Sequence, residues 1–304
     1  MDPLHLKSIS EFHQLHDLPP PAHPLISIVD YTLVAMSKLK KDIPPTVADY
    51  YSISVKHGMT GKMRYGQQEY DFDEGVMYFM APKQVLHASP APDAHARPSG
   101  WILLIHPDFL WGSTLAKSIK RYDFFGYAVH EALFLSEKEK ATLNSIIGNI
   151  RHEYQGNIDK FSQNIILSQV ETLLNYAERF YERQFITRKI SNHRILDRLE
   201  ALLDKYFAGD MLVEKGLPSV HFVAEQLHVS PNYLSSLLKV LTGQSTQQHI
   251  HEKLIEKAKE KLSTTNLSIS EIAFDLGFEH SQSFSKLFKS KTKQSPLEFR
   301  QSFN

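Results

Sequence analysis

The sequence predicts an α+β protein, with a strand-rich N-terminal part followed by a helical C-terminal part. Short apolar and aromatic runs separated by turn residues fill the region from about 24 to 110. From Ser136 onward, apolar residues instead recur at helical spacing. Within the helical part, the region from Pro218 to Phe299 contains nearly the same pattern twice. The fold class therefore combines a sheet domain with a duplicated helical domain.

The N-terminal strands are predicted from runs that are rich in β-branched and aromatic residues. These runs are YYSISV (50–55), YDF (70–72), GVMYFM (75–80) and GWILLI (100–105). Residues 90–100 are expected to form a loop, because proline, glycine and aspartate favour turns. Many short strands close most readily as antiparallel sheets, so the region is expected to form a sandwich or a barrel.

Three helices are predicted between the strands and the repeat. Ser136 and Glu139 match a capping box, and an apolar stripe begins behind them at Leu143. The second helix covers 161–185 and the third covers 193–207. The expected apolar stripe of the second helix is Ile165, Ile166, Gln169, Leu173, Tyr176, Ala177 and Phe180. This stripe suits packing on the sheet, on the same helix of a second subunit, or on both.

Each copy of the repeat predicts a short helix, a tight turn and a second helix. VAEQLHV (223–229) aligns with IAFDLGF (272–278), and YLSSLLK (233–239) aligns with SFSKLFK (283–289). A helix over 246–265, with an apolar stripe at four-residue steps, separates the two copies. This is the pattern of a helix-turn-helix, whose second helix enters a DNA major groove.

The ends of these helices carry residues that favour helix caps. Ser230 followed by a proline predicts the start of one second helix, and Gly243 predicts its left-handed end. Ser268 with Glu271 predicts a capping box for the first helix of the second copy. The same pattern at Ser295 predicts the start of the last helix.

The candidate DNA-binding residues lie on the polar face of each second helix. Asn and Gln form paired hydrogen bonds with adenine, Ser donates or accepts, and Lys reaches guanine or phosphate. The candidates in the first copy are Asn232, Tyr233, Ser235, Ser236 and Lys239. The candidates in the second copy are His280, Ser281, Gln282, Ser285, Lys286 and Lys289. Any amphipathic helix has a polar face, so this hypothesis depends on the duplication.

Net charge alone does not indicate a nucleic-acid partner, because 34 basic residues balance 34 acidic residues. The distribution of charge is more informative. Residues 280–297 contain no acidic residue and four lysines, Lys286, Lys289, Lys291 and Lys293. Lysines also suit a solvated helix end, where they complement the helix dipole. Charge by itself therefore leaves both interpretations open.

Residues 218–300 strongly resemble the AraC/XylS family of bacterial transcription regulators. The resemblance rests on SPNYLSSLLKVLTGQS, HEKLIEKAKEKLSTTNLSISEIAFDLGF and GFEHSQSFSKLFKSKTKQSPLEFR. It implies that both second helices bind DNA. It also implies a cupin-like β-barrel or jelly roll that binds an effector, followed by helices that dimerise. The implied base-reading positions are Asn232, Ser235, Ser236, Ser281, Gln282, Ser285 and Lys286.

One departure from the family pattern concerns the first copy. Small serines stand where larger side chains often read bases, so this copy is expected to contact DNA more through shape and phosphate.

The implied domains are a β-rich effector domain (1–130), a helical dimerisation and connector segment (131–210) and a double helix-turn-helix domain (211–304). The expected function is a sequence-specific transcriptional regulator, and not an enzyme. Candidate partners are double-stranded promoter or operator DNA, a small-molecule effector, RNA polymerase and a second copy of the chain. Without cysteines or an apolar run of the ~18 residues that a spanning helix needs, a cytoplasmic location without membrane contact is expected.

An alternative function is a cupin-type metal-dependent enzyme fused to a helical DNA- or protein-interaction domain. GVMYFMAPKQVLH (75–87) is loosely similar to the second motif of metal-binding cupins, but the paired histidines of the first motif are missing. The histidines of the strand-rich region are His57, His87, His95 and His106. A mononuclear site needs about three convergent ligands. We therefore expect no metal, no cofactor and no catalytic residues.

Overall fold

The computed structural model describes residues 3–36, 45–57, 63–65, 68–70, 75–86, 99–128, 131–156, 159, 161–187, 189–209 and 211–302. The chain divides into two compact units, Met1–Gln184 and Phe185–Asn304. All described strands lie in the first unit, and the second unit is helical. The predicted α+β class is therefore confirmed. The division into three domains with boundaries at 130 and 210 stays a prediction.

The first unit alternates short strands with short helices before two long helices. Its strands are β1 (Leu4–Leu6), β2 (Ile26–Asp30), β3 (Thr46–Ala48), β4 (Tyr51–His57), β5 (Met63–Tyr65), β6 (Gln68–Tyr70), β7 (Val76–Met80), β8 (Val85–Leu86), β9 (Ser99–Ile105) and β10 (Leu133–Phe134). Its helices are α1 (Ile9–Leu15), α2 (Tyr31–Met36), α3 (Leu115–Ser118), α4 (Glu137–Gln155) and α5 (Ser162–Thr187), whose last turn continues into the second unit.

Three of the four predicted strand runs are confirmed as β4, β7 and β9. Most of the predicted strand at 70–72 and of the predicted loop at 90–100 lies outside the described residues. The capping box predicted at Ser136 and Glu139 is also confirmed at the start of α4.

The central element of the first unit is an antiparallel sheet in the order β10-β7-β4-β9-β2. Residues Trp101 to Ile105 of β9 are all buried, because helices cover both faces of this strand. On one face, the ring N–H of Trp101 donates to Asn144 of α4 (3.0 Å). On the other, Ile102 and Leu104 pack in a cluster with α1. The other described sheets are β1-β3-β8 and β5-β6, and closure into a cupin-like barrel stays a prediction.

The face of β4 that looks toward α1 carries a lysine. Lys56 shares this face with Ser52 and Ser54, because successive residues of a strand alternate between faces. Its Nζ lies 4.7 Å from the centroid of the Tyr31 ring and 5.5 Å from that of Tyr78. In the described part of the chain, no ion pair involves Lys56. Burial lowers its pKa to about 8, since a desolvated ammonium group is disfavoured.

The buried stripe of α5 differs in part from the predicted one. Ile166, Leu173, Ala177 and Phe180 are buried as expected, but Ile165 is 44% exposed. Each helical residue is rotated by about 100° from the previous one, so a buried stripe that includes Ile166 and Leu167 leaves Ile165 beyond its edge. The buried apolar positions that the sequence pattern missed are Leu167, Val170, Leu174, Tyr181 and Phe185.

The second unit consists of helices around one hydrophobic cluster. They are α6 (Lys189–Ala208), α7 (Met211–Lys215), α8 (Val220–Leu227), α9 (Pro231–Thr242), α10 (Thr246–Thr264), α11 (Ile269–Asp275), α12 (Ser281–Thr292) and α13 (Pro296–Gln301). Ile250, Leu254, Ala258 and Leu262 confirm the predicted stripe of α10, being at most 2% exposed. No helix among the described residues is long and apolar enough to cross a membrane.

Replacing Lys56 by methionine is expected to stabilise the protein at neutral pH. The pKa of Lys56 is lowered in the folded chain, so folding disfavours its charged form at every pH below about 8. We expect Lys56→Met to raise the free energy of unfolding by about 1–2 kcal/mol at pH 7. The gain should shrink between pH 8 and the ordinary lysine value of 10.5. Urea unfolding at pH 7 and pH 9.5 measures both effects.

Lys120, which is exposed in the same unit, provides the matched control. Lys120→Met should leave stability within about 0.5 kcal/mol of the wild type at both pH values. A less stable Lys56→Met protein at pH 7 would show that the ammonium group stabilises the fold.

Candidate nucleic-acid interface

Two helix pairs in the second unit, α8 with α9 and α11 with α12, begin with matching caps. The hydroxyl of Ser219 accepts a hydrogen bond from the backbone N–H of Phe222 at the start of α8. Ser268 accepts from the N–H of Glu271 at the start of α11. The Glu271 carboxylate accepts the N–H of Ser268 in return, so the predicted capping box is confirmed. These hydrogen bonds lower the pKa of Glu271.

The turns that link the two helices of each pair share one backbone geometry. His228 (φ 58°) and Gly277 (φ 79°) both occupy the left-handed region. In both turns, the N–H of the following residue donates to the carbonyl of an alanine five residues earlier, at 3.0 Å (Val229 to Ala224 and Phe278 to Ala273). This hydrogen bond belongs to the Schellman end of a helix, and it fixes where the second helix begins.

The two second helices have equal length and matching ends but different starts. Each has 12 residues and ends at a left-handed residue, Gly243 for α9 and Lys293 for α12. Ser230 caps α9 by accepting from the N–H of Tyr233, which confirms the predicted start and end of this helix. At the start of α12, the side chain of His280 forms no capping hydrogen bond.

Buried apolar residues orient both second helices and leave their polar faces outward. Leu234 and Leu237 of α9, and Phe284 and Phe288 of α12, have no exposed surface. The exposed candidate residues are Asn232, Lys239, His280, Gln282, Lys286 and Lys289. The partly buried candidates are Ser235, Ser236, Ser281 and Ser285. Ten of the eleven candidate residues are therefore at least partly exposed, on α9, on α12 or, for His280, directly before α12.

The remaining candidate, Tyr233, lies in the core. Its side chain is 8% exposed, and its ring makes an edge contact with Phe185 at 5.2 Å between centroids. Ser235 also has an internal partner, because its hydroxyl lies 3.1 Å from the hydroxyl of the fully buried Thr246. Sequence reasoning missed this role of Thr246, since a threonine in the first turn of a helix is ordinarily exposed.

The lysines of α10 and α12 differ in their partners. On α10, Lys253 pairs with Asp204 (2.5 Å), and Lys261 pairs with Asp275 (2.9 Å). A further pair joins Lys257 to Glu260 (2.9 Å). In the described ion pairs, no lysine from 286 to 293 takes part. The positive charge of this surface is therefore available to an external anion.

The charges of Lys289 and Lys291 contribute to lowered pKa values of nearby groups. Hydrogen bonds within the Ser295 capping box, and then the charge of Lys289, lower the pKa of Glu298. Burial, and then the charge of Lys291, lowers the pKa of His251. The capping box at Ser295 is the one that the sequence predicts.

The two described histidines of the strand-rich region, His57 and His106, lie at opposite ends of the β4–β9 strand pair. His87 and His95 lie outside the described residues. Nδ1 of His106 accepts the backbone N–H of Asp108 (3.3 Å), and burial lowers the pKa of His57. Among the described residues, no three His, Asp or Glu side chains are grouped to hold a metal ion.

The known proteins that resemble this chain match it within its helical unit. A protein-family model described as a helix-turn-helix domain covers residues 223–302. The uncharacterized HTH-type transcriptional regulator YijO of Escherichia coli K12 is 27% identical over 44% of this chain and 45% of its own length. The HTH-type transcriptional activator RhaS of Salmonella schwarzengrund is 33% identical over 36% of this chain and 37% of its own. The chain thus spans less than half the length of either relative.

Among solved structures, the C-terminal domain of AraT, a response regulator from Geobacillus stearothermophilus, is 33% identical. The match covers 36% of this chain and 84% of that one, with a TM-score of 0.32, which is too low to support a conclusion about the fold. The sequence matches define the class of the second unit as a helix-turn-helix domain. The predicted resemblance of this unit to AraC/XylS-type regulators is therefore confirmed.

Gly277 is expected to tolerate no side chain. A Cβ at this position would lie 2.5 Å from the carbonyl oxygen of Leu212 and 2.9 Å from Cα of Gly216, in a left-handed backbone conformation. We expect Gly277→Ala to lower the free energy of unfolding by more than about 2 kcal/mol. Urea unfolding checks the value. His228→Gly, at the matching turn, should change it by less than about 1 kcal/mol, because glycine accepts the left-handed conformation. Equal effects of the two changes would contradict this account.

The different starts of α9 and α12 predict opposite effects of two substitutions. Ser230→Ala removes a capping hydrogen bond and should lower the free energy of unfolding by about 1 kcal/mol. His280→Ser adds a capping hydroxyl where none acts and should raise it by about 0.5–1 kcal/mol. Thermal unfolding of both variants tests the pair. The explanation fails if His280→Ser destabilises the protein.

Proposed function

We propose that this protein is a sequence-specific DNA-binding transcriptional regulator, with α9 and α12 as the recognition helices of two helix-turn-helix units. The observation that carries the proposal is the pair of 12-residue helices, each with a buried apolar face and an outward polar face. A polar helix face with amide, hydroxyl and ammonium groups suits hydrogen bonds to base edges and phosphates. The family match to residues 223–302 supports the same function.

The two helices are proposed to contribute unequally. Ser235 is engaged with Thr246 and Tyr233 is in the core, so α9 has few side chains left to read bases. α12 presents exposed Gln282 and Lys286, together with lysines that the described ion pairs do not include. We assign direct base reading mainly to α12, and contacts through DNA shape and phosphate mainly to α9.

The first unit is proposed to be the effector-sensing part of the regulator, in a cupin-like fold. A cavity of about 120 Å³ beside the five-stranded sheet supports this role.

The exposed Phe161 (56%) and Ile165 (44%) at the start of α5 support pairing with a second copy of the chain. RNA polymerase is a further proposed partner. An effector would act by stabilising one of two conformations of the regulator that differ in their affinity for DNA.

Selection of the full-length protein against random duplexes tests DNA recognition. We expect a motif of two short blocks about one helical turn, 34 Å, apart. Gln282→Ala combined with Lys286→Ala should blur one block and weaken binding about tenfold or more, since a paired base contact contributes about 1–3 kcal/mol. The measurement is enrichment and affinity at one fixed, moderate salt concentration.

Gln301→Ala with Lys257→Ala is the matched control, because it removes the same residue types from exposed or ion-paired positions on α13 and α10. It should leave the motif unchanged. If the α12 variant keeps wild-type affinity, or if the wild type enriches no sequence even with cell extract present, the second unit serves another partner.

A further inference from the structure

A cavity in the first unit is lined by α1 and by strands of two sheets. β1, β3 and β8 of the three-stranded sheet all contribute residues to it. The five-stranded sheet contributes Ser52 of β4, Met80 of β7 and Leu104 of β9. In the register of these strands, Ser52 lies directly between Met80 and Leu104. The three side chains therefore project from one face of the sheet, because directly opposed residues of adjacent strands share a face.

The size of the cavity limits what it can hold. Its volume is about 120 Å³, and much of its wall is apolar, including Phe12, Leu15 and Leu104. These side chains pack in one hydrophobic cluster. An apolar cavity of about 150 Å³ in another protein binds benzene, so in proportion this one holds about five non-hydrogen atoms. That is the size of an alcohol with four carbon atoms.

Two polar side chains of the wall differ in their hydrogen bonds. The amide of Gln84 is satisfied within the protein, since it accepts the N–H of Ala81 (2.8 Å) and donates to the carbonyl of Phe125. Within the part of the chain that the structure describes, the hydroxyl of Ser52 forms no hydrogen bond. A serine hydroxyl both donates and accepts, so it offers a hydrogen bond to a molecule in the cavity.

The described residues of the wall are uncharged at neutral pH. The titratable ones are His16 and Tyr50. Burial lowers the pKa of His16 to about 4 and raises the pKa of Tyr50, so both stay neutral. Lys56 of β4 is not among the lining residues. A charged ligand would lose its water here without an oppositely charged group among these side chains, which is costly.

We infer that this cavity binds a small uncharged organic molecule, with its apolar part against Phe12 and Leu104 and a hydroxyl or carbonyl group hydrogen-bonded to Ser52. The apolar part gains the contacts that the wall provides, and the polar group uses the one hydroxyl that is left without a partner in the described structure. The inference rests on the effector-sensing role proposed for the first unit and names the chemical class of effector.

Titration of the full-length protein with 1-butanol, butanoate and butylammonium at pH 7 tests the class of ligand. The three probes share an apolar chain and differ in charge. The NMR signal of the Met80 methyl group reports binding at the cavity itself. We expect 1-butanol to shift this signal saturably, with an affinity at least about tenfold higher than that of either ion. No saturable shift with 1-butanol, or equally tight binding of one of the ions, would overturn the inference.

Substitutions at two serines of β4 test the hydrogen bond. Ser52→Ala should weaken 1-butanol binding by about three- to tenfold, the effect of one hydrogen bond between neutral groups. Ser54→Ala is the matched control, because Ser54 lies on the same face of the same strand but does not line the cavity. It should leave the affinity unchanged. Equal effects of the two changes would contradict the assigned role of Ser52.

A third variant tests the location by filling the cavity. Ala48 lines it from β3, and Ala48→Leu adds three carbon atoms there, so 1-butanol should no longer shift the Met80 signal. Circular dichroism of each variant checks that it is folded. If folded Ala48→Leu protein binds 1-butanol as tightly as the wild type, the molecule binds elsewhere and the inference is wrong.

The DNA selection described above is run without 1-butanol, so the two proposals fail separately. A recovered motif without 1-butanol binding would refute only the ligand site. Binding of 1-butanol without a recovered motif would refute only DNA recognition.

Discussion

Both helix pairs of the second unit depend on one buried stripe of α10. Ile250, Leu254 and Ala258 have no exposed surface, and they belong to the same hydrophobic cluster as Leu234 of α9 and Phe284 of α12. Protein cores are packed as densely as organic crystals, so neither second helix can rotate without opening a void. The polar faces of α9 and α12 therefore have fixed orientations, which a surface needs if it is to distinguish one DNA sequence from another.

The distribution of ion pairs explains how a chain without net charge suits an anionic partner. On α10, Lys253 and Lys261 are paired with aspartates, so their charges are largely neutralised within the unit. The lysines of α12 lie in a stretch without acidic residues and enter none of the described ion pairs. The charge carried by α12 itself is consequently positive, although the sum over the sequence is zero.

In the first unit, Lys56 occupies a position in which its positive charge contributes little to the stability of the folded state. The side chain of Lys56 is partly buried between Tyr31 and Tyr78, and burial disfavours its charged form. A hydrophobic residue of similar size would avoid this cost.

Local patterns in the sequence determined the elements of this protein: β4, β7 and β9, the stripe of α10, and the caps at Ser230 and Ser268. These features depend on residues within one or two turns of each other, so spacing alone reveals them. Tertiary structure alone decided that Tyr233 lies in the core, that Ser235 contacts Thr246 and that Ile165 is exposed. It also brought Lys56 to Tyr31 and Tyr78, because contacts between distant segments depend on how the elements pack, which a single sequence does not encode in its periodicity.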